Sequence, residues 1–437
     1  MYTYPIVDFG AVADGTTNNA AAIQAAVDAC AAAGGGQVIV PPAKRAFVSG
    51  TIELRPRVEL HLANGAVLRA SAHPADYREQ PIAGEYGGST GAFLIHAEKA
   101  NGIAISGQGV IDGFAEAFLD GWWTDDGPYI RRPKAFRPRV IGLFGCQNVR
   151  LHHFTVRDAP QWSCHLTGCR DVVIHGITIL NGLDVPNCDG IDPDHCQNVR
   201  ISDCHIEAGD DGIVIKTTRE YTEYGPSENI TVSGCTIVST SAAIKIGTES
   251  HSDIRDITVT NCVIRRSHRG LAIQLRDGGN VENVHFSNCI VETRQFHPKW
   301  WGNAEAVYLT AVPRHAETRV GRIRNVLCSH LTCRGENGIF LHGTPETPLE
   351  NIRFDHVQVD LAKTTRWPIA FHDLRPYKSA EHGGLDEAPL AMLTARHVVG
   401  LELRACSLRC RPEDAHHWSG EVDCAEVQDG RMEERAL

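Results

Sequence analysis

A chain of 437 residues with 42% hydrophobic and 22% charged residues has ample apolar material for a core and none of the polar bias of a disordered chain. Its formal net charge of −11 leaves no basic excess to neutralise phosphates, which argues against a nucleic-acid or anionic-membrane partner. The fifteen cysteines are odd in number and no CxxC pair occurs, so reduced thiols in a cytoplasm fit better than a disulfide framework or a zinc site.

The opening "MYTYPIVDFGAVADG" has no basic n-region, apolar h-region or small-residue cleavage site, and no later run of eighteen apolar residues exists. With Met1 as the native start, a cytoplasmic location is expected; nothing in the sequence specifies an oligomeric state. Next, "NNAAAIQAAVDACAAAGGG" places Ile23, Val27 and Cys30 on one face of an alanine-rich helix that ends at Gly34 to Gly36. Such a helix suits the cap that a solenoid needs over its open end.

From Asn148 onward the chain repeats itself. "NVRLHHFTV" from Asn148, "DVVIHGITI" from Asp171, "NVRISDCHI" from Asn198 and "NITVSGCTI" from Asn229 are followed by "DITVTNCVI" from Asp256 and "NVHFSNCIV" from Asn283. "NVLCSHLTC" from Asn325 and "NIRFDHVQV" from Asn351 continue the series. Most spacings fall between 23 and 31 residues, a solenoid period, with one longer interval from Asn283 to Asn325. Each unit alternates with period two, turns, and gives a second short β-run such as "GIVIKT" or "GLAIQLR", with no helix-length segment. Several short strands per period describe the coils of a parallel β-helix, so an all-β single domain is expected. Residues 1–45 are read as the N-terminal cap region, 46–360 as the coils, and 361–437 as a long loop, a last coil and a polar tail. Cys204, Cys235, Cys262 and Cys289 recur at one position of successive units and are expected to stack as an inward ladder. The recurrent asparagines are read as turn and stacking residues.

Stacked coils lie about 4.8 Å apart, so residues one period apart become neighbours. In "NCDGIDPDHCQNVRISDCHIEAGDDGIVIK", Asp189 precedes Asp210 by 21 residues and Asp211 by 22, and Asp192 follows close behind. The spacing therefore gathers three carboxylates, with a fourth nearby. Clustered carboxylates raise one another's pKa, and a protonated acid beside an ionised one is the apparatus of glycosidic bond hydrolysis. Gly190, Gly209 and Gly212 are read as leaving room for a ligand against the backbone. Spacing alone leaves hydrolase, calcium-dependent lyase and structural calcium open, because calcium also takes several oxygen ligands.

"NCDGIDPD" followed by "GDDGIVIK" resembles the paired acidic motifs of glycoside hydrolase family 28, the polygalacturonase family, and "VDFGAVADGTTNNAAAIQAAVDA" resembles its N-terminal opening. The resemblance runs over roughly residues 5 to 360. It implies a right-handed parallel β-helix, hydrolysis with inversion and no metal or other cofactor, with Asp210 as general acid and Asp189 and Asp211 activating water. Two departures stand out. The family's Gly-His-Gly is here "TSAAIKIGTES", with Ala242 at the histidine position, and its Arg-x-Lys grip on a uronate is "RGLAIQLRDGG", with Ala272 and Gln274.

Either the sugar at the cleavage point lacks the usual carboxylate, or substitutes hold it. Lys216, Lys245, Arg276 and Arg314 are the candidates, with Asp192, Glu249 and Gln274 as further substrate contacts. Trp122 and Trp123 in "DGWWTDDG" and Trp300 and Trp301 in "HPKWWGNAE" sit in loops that interrupt the repeat, where aromatic faces suit sugar rings or anchor the loop; His297 and Glu305 travel with the second pair. The expected function is an exo-acting, inverting hydrolase of pectin-derived or related oligosaccharides, with an oligosaccharide substrate and neither nucleic acid nor a membrane as partner. A carbohydrate-binding β-helix without catalysis, and a lyase or epimerase on the same fold, are the alternatives.

Overall fold

The computed structural model describes residues 2–80, 91–123, 129–375 and 384–433. Parts of three segments singled out above, 124–127 of the Trp122 loop, 376–383 of the C-terminal loop and 434–437 of the tail, lie outside the described residues. The fold is a right-handed parallel β-helix. Its chain forms two compact units, residues 1–210 and 211–437.

In the first unit, each coil contributes up to three short strands to three parallel stacks. One stack includes Gln147–His152, Arg170–His175 and Gln197–Ser202, with Val149 beside Val172 and Val172 beside Val199. A second runs through Gly91–Glu98, Arg139–Phe144, Cys164–Thr167 and Ile191–Asp194. The third joins Val110–Asp112, Thr155–Arg157, Thr178–Leu180 and His205–Ala208. The helix Ala20–Ala32 buries Ile23, Ala26, Val27 and Cys30 against the strands Thr3–Pro5, Gly36–Val40, Ile52–Glu53 and Val58–Leu62. No helix among the described residues is long and apolar enough to cross a membrane.

The second unit repeats the scheme. Ser227–Ser233 pairs with Ile254–Thr260, which pairs with Val281–Ser287, and Val281 then pairs with Ile323 across the long interval. The interval is an insertion between Ile290–Thr293 and Glu305–Ala311, where residues 294–304 leave the coil.

The repeat of Asn and Asp has a backbone cause. Asn148, Asp171, Asn198, Asn229, Asp256, Asn283, Asn325 and Asn351 all have φ between 53° and 58°, the left-handed region that short polar side chains tolerate best. Their amides also stack: Asn283 donates to Asp256 Oδ1 at 2.9 Å, Asn325 to Asn283 at 3.1 Å and Asn351 to Asn325 at 3.2 Å. One residue type thus makes the turn and bonds it to the coil below. Cys204, Cys235, Cys262 and Cys289 are buried as the inward ladder, and their thiols donate to Ser202 O, Ser233 O, Thr260 O and Ser287 O at 3.2, 3.4, 3.4 and 3.2 Å. All fifteen cysteines are thiols rather than disulfides.

Candidate active site

The first unit builds the turn that carries Asp189. Residues 181–190 leave the coil after Thr178–Leu180 and rejoin it at Ile191–Asp194. Asn181 holds the two ends together by donating to Cys188 O and Ser163 Oγ, both at 2.9 Å, while Ala159 N donates to its Oδ1 at 3.0 Å. The same turn grips the start of the second acidic motif. Gly209 N donates to Cys188 Sγ at 3.1 Å and Asn187 N donates to Asp210 Oδ2 at 3.1 Å.

Arg137 is the cation of this turn. Its guanidinium donates to Pro160 O at 3.0 Å, Pro186 O at 2.8 Å and Asn187 Oδ1 at 3.1 Å. Burial pulls it down to about 10, against the opposing pull of Cys188, Asp210 and Asp189. Asp192 is fully enclosed and sits in register with His165 of the coil before. His165 in turn lies 2.8 Å from Arg139 Nη1 and 3.3 Å from Asp194 Oδ2. Arg139 stacks over Trp162, 4.1 Å from its ring centroid. None of Arg137, Arg139, Trp162 and His165 was singled out in the sequence. Stepping one period back from Asp192 leads to His165, but Arg137 has no periodic relation to the aspartates.

The second unit begins with Asp211. Its Oδ1 accepts from Ser241 Oγ at 2.8 Å and from Ala242 N at 3.1 Å, and its Oδ2 accepts from Lys245 Nζ. Burial pushes this carboxyl up, but the Lys245 ammonium, Lys216 and Ser241 outweigh it and hold it below its ordinary range. Asp211 is therefore ionised near neutrality. Lys216 is buried, with Nζ 3.9 Å from Glu249 Oε2. A carboxylate oxygen of Asp189 and one of Asp210 lie within 4.8 Å of each other in the first unit, and Asp211 is the next residue of the chain.

The flanking glycines have a different explanation from the one given by the sequence. A Cβ on Gly209 would lie 2.4 Å from Val185 O, and one on Gly212 2.5 Å from Ala243 O. Both positions need glycine because backbone passes there, so they leave no cradle for a ligand.

The positions where the uronate grip is missing form an apolar patch. Lys245 is in register with Ala272, Ala272 with Tyr308 and Tyr308 with Phe340. Ala242, Ala272, Tyr308 and Phe340 pack together, with Leu374 against them. Gln274 is buried two residues further along the strand, in register with Thr310. The proposed substitutes are engaged elsewhere. Arg276 is fully buried and donates to Thr310 Oγ1 at 2.9 Å and Tyr308 OH at 3.4 Å, and Arg314 forks onto Asp277 with both bonds at 2.7 Å.

The tryptophan pairs divide. Trp300 is fully buried, so its ring offers no face to a sugar and instead anchors the insertion, while Trp301 is half-buried with Arg375 stacked at 5.4 Å. Trp122 is 39% exposed in the hairpin Leu119–Trp123/Ile130–Pro133, with Arg131 at 5.2 Å from its ring. Glu305 accepts from Arg269 at 3.1 Å and His297 packs on Trp367, so both serve the loop.

The profile of Glycosyl hydrolases family 28 matches residues 83–370, and the chain belongs to that family. A probable polygalacturonase of Vitis vinifera is 32% identical over 267 residues, which cover 57% of this chain and 52% of the relative; one of Arabidopsis thaliana is 28% identical over 212 residues, covering 48% and 42%. The chain thus spans about half the length of the curated relatives it matches. Among solved structures, an exopolygalacturonase of Thermotoga maritima superposes with a TM-score of 0.70 at 23% identity, covering 83% of this chain and 88% of that one. A family 28 exopolygalacturonase of Yersinia enterocolitica gives 0.74 at 22%, covering 98% and 78%. These two share the fold.

Proposed function

We propose that the protein is an exo-acting glycoside hydrolase of pectin-derived or related oligosaccharides, working with inversion. The observation that carries the hydrolase reading is the close Asp189–Asp210 pair, followed in the chain by Asp211, which is held ionised. Asp211, paired with Lys245 and held ionised, suits the base, which leaves Asp210 as the carboxyl to donate the proton to the leaving oxygen. The resemblance to the family implies a water activated by two carboxylates. Asp189 and Asp211 are the pair assigned to that water.

The same close spacing favours one competing reading. Retaining enzymes place their carboxyl groups about 5–5.5 Å apart, and one attacks the sugar directly. Proton NMR of the first-formed product decides: the inverted anomer supports two carboxylates sharing a water, and the retained anomer replaces it with a nucleophile.

Exo action draws support from the second unit. Asp373 takes hydrogen bonds from Arg269, Arg375 and Gly302 N, Tyr308 OH donates to Asp373 O, and Leu374 lies on the apolar patch beyond Lys245. The segment so fixed packs on the sheet face at Ala272, Tyr308 and Phe340, where it would block a longer chain. Exopolygalacturonases among the structural neighbours point the same way. Incubation with oligogalacturonides and rhamnogalacturonan fragments is expected to release one terminal sugar at a time. A ladder of intermediate lengths would overturn exo action, and no new reducing end from any of them would overturn the hydrolase.

A further inference from the structure

A groove of about 870 Å³ in the second unit lies away from the aspartates. It runs over the strands Val263–Ser267, Ile290–Thr293, Thr332–Gly335, Gln358–Leu361 and Ser407–Cys410, a different sheet from Ile213–Thr217 and Ala242–Ser250, which carry Lys216 and Lys245. Six arginines line it: Arg265, Arg266, Arg294, Arg334, Arg409 and Arg411.

The repeat makes this pattern. Glu292 is in register with Arg334, Arg334 with Asp360 and Asp360 with Arg409, so charges alternate up the stack about one strand spacing, ~4.8 Å, apart. Glu292 and Asp360 are the only acids in the lining, against six arginines, in a chain whose acidic residues outnumber its basic ones 53 to 42. No side chain of the six makes an ion pair or hydrogen bond with any described residue. Arg294 Nε is buried without a hydrogen-bond partner.

A basic pocket in the first unit shows what a self-neutralised one looks like. There, in about 480 Å³, Arg69 and Arg157 both bind Asp112, at 3.2 and 2.8 Å.

An occupant of the arginine groove has to be anionic, extended along the stack and tolerant of intervening acids. Guanidinium forks match carboxylates, and Glu292 and Asp360 can accept hydroxyl groups. The exposed side chain of Ile290 offers an apolar strip to the C–H face of a sugar. Single-stranded nucleic acid needs aromatic platforms for its bases, and the lining contains no aromatic residue.

We propose that this groove is a second saccharide site, which binds a run of uronic acid residues in an acidic polysaccharide. It draws on the hydrolase reading only for the class of sugar. Acid recognition, missing beside Lys245, is then placed on another sheet, where it holds an acidic chain without positioning a bond for cleavage.

Calorimetry on Asp210→Asn protein tests this without turnover, using an oligogalacturonide, its carboxyl-reduced neutral counterpart and a single-stranded DNA. Adding Arg334→Ala and Arg409→Ala is expected to weaken oligogalacturonide binding about tenfold and flatten its salt dependence, because two charge-assisted contacts are lost. Arg334→Lys with Arg409→Lys, which keeps the charge and loses the fork, is expected to fall between. In the otherwise native enzyme, the alanine pair is expected to leave turnover of the smallest substrate unchanged. Unchanged oligogalacturonide affinity in the alanine variant, an equal loss for the neutral counterpart, or tighter arginine-dependent binding of the DNA would each overturn the proposal. Arginine-dependent uronate binding by a protein that hydrolyses nothing would sustain the groove and sink the hydrolase.

Discussion

Asp210 and Asp211 are joined by a peptide bond and held in opposite ways. Asp210 closes the first unit and is fixed by a backbone amide from the Asn187 turn, which rests on the Cys188 thiol and the Asn181 carboxamide. Asp211 opens the second unit and is fixed by a serine hydroxyl, a backbone amide and the Lys245 ammonium. The first arrangement fixes position through a backbone amide, with Arg137 as the cation of the turn; the second sets charge through Lys245. An acid and a base need that difference, since one must keep a proton near neutrality and the other must lose it.

Replacing the donor is the hardest blow to this contrast. Asp210→Asn is expected to lower kcat about 10³-fold with KM little changed, because general acid catalysis contributes on that order. An asparagine variant with near-native kcat would move the acid to another carboxylate.

Lys245→Met is expected to cost less and to leave a different mark. Asp211 lies below its ordinary value in the folded protein, chiefly because the Lys245 ammonium overcomes the effect of burial. Without the ammonium, burial raises it, so the ionised base is lost at higher pH on the way down. The acidic limb of kcat/KM is expected to move up by about one pH unit, with a loss of up to about tenfold along that limb and a smaller one at the native optimum. A uniform loss at every pH would show that Lys245 binds substrate instead of setting the charge.

How far the sequence reveals this depends on whether a feature repeats. The period, the Asn turns, the Cys ladder and the aspartate spacing are all legible because each coil writes them again. Arg137 is not, because its contacts to Pro160, Pro186 and Asn187 come from a chain crossing that no period encodes. Trp300 and Trp301 look alike as neighbours in sequence; their difference is set by Arg375 and Asp373, which bind Trp300 O and Gly302 N from a distant loop. Gly209 and Gly212 invite a ligand on paper and are filled by backbone in space. The arginine groove was written in the repeat, in "VIRR", "VETR", "CRG" and "LRCR", and became visible only once the register placed these runs side by side.

The positional side of the comparison yields the smallest effect and the sharpest control. Cys188 Sγ accepts from Gly209 N and donates to Val185 O, both at 3.1 Å, and burial pushes its thiol well above the ordinary range, so it stays uncharged. Cys188→Ala leaves Gly209 N without its acceptor and opens a small gap beside Val185, Ala115 and Leu119. A loss of about 1–2 kcal/mol in chemical denaturation is expected, from one orphaned buried amide and a little lost packing. Because no charge is removed, the acidic limb of kcat/KM should stay where it is in the native enzyme. A shift of that limb as large as the one from Lys245→Met would mean that the Cys188 turn tunes the proton after all, and position and charge would no longer be separable across the Asp210–Asp211 bond.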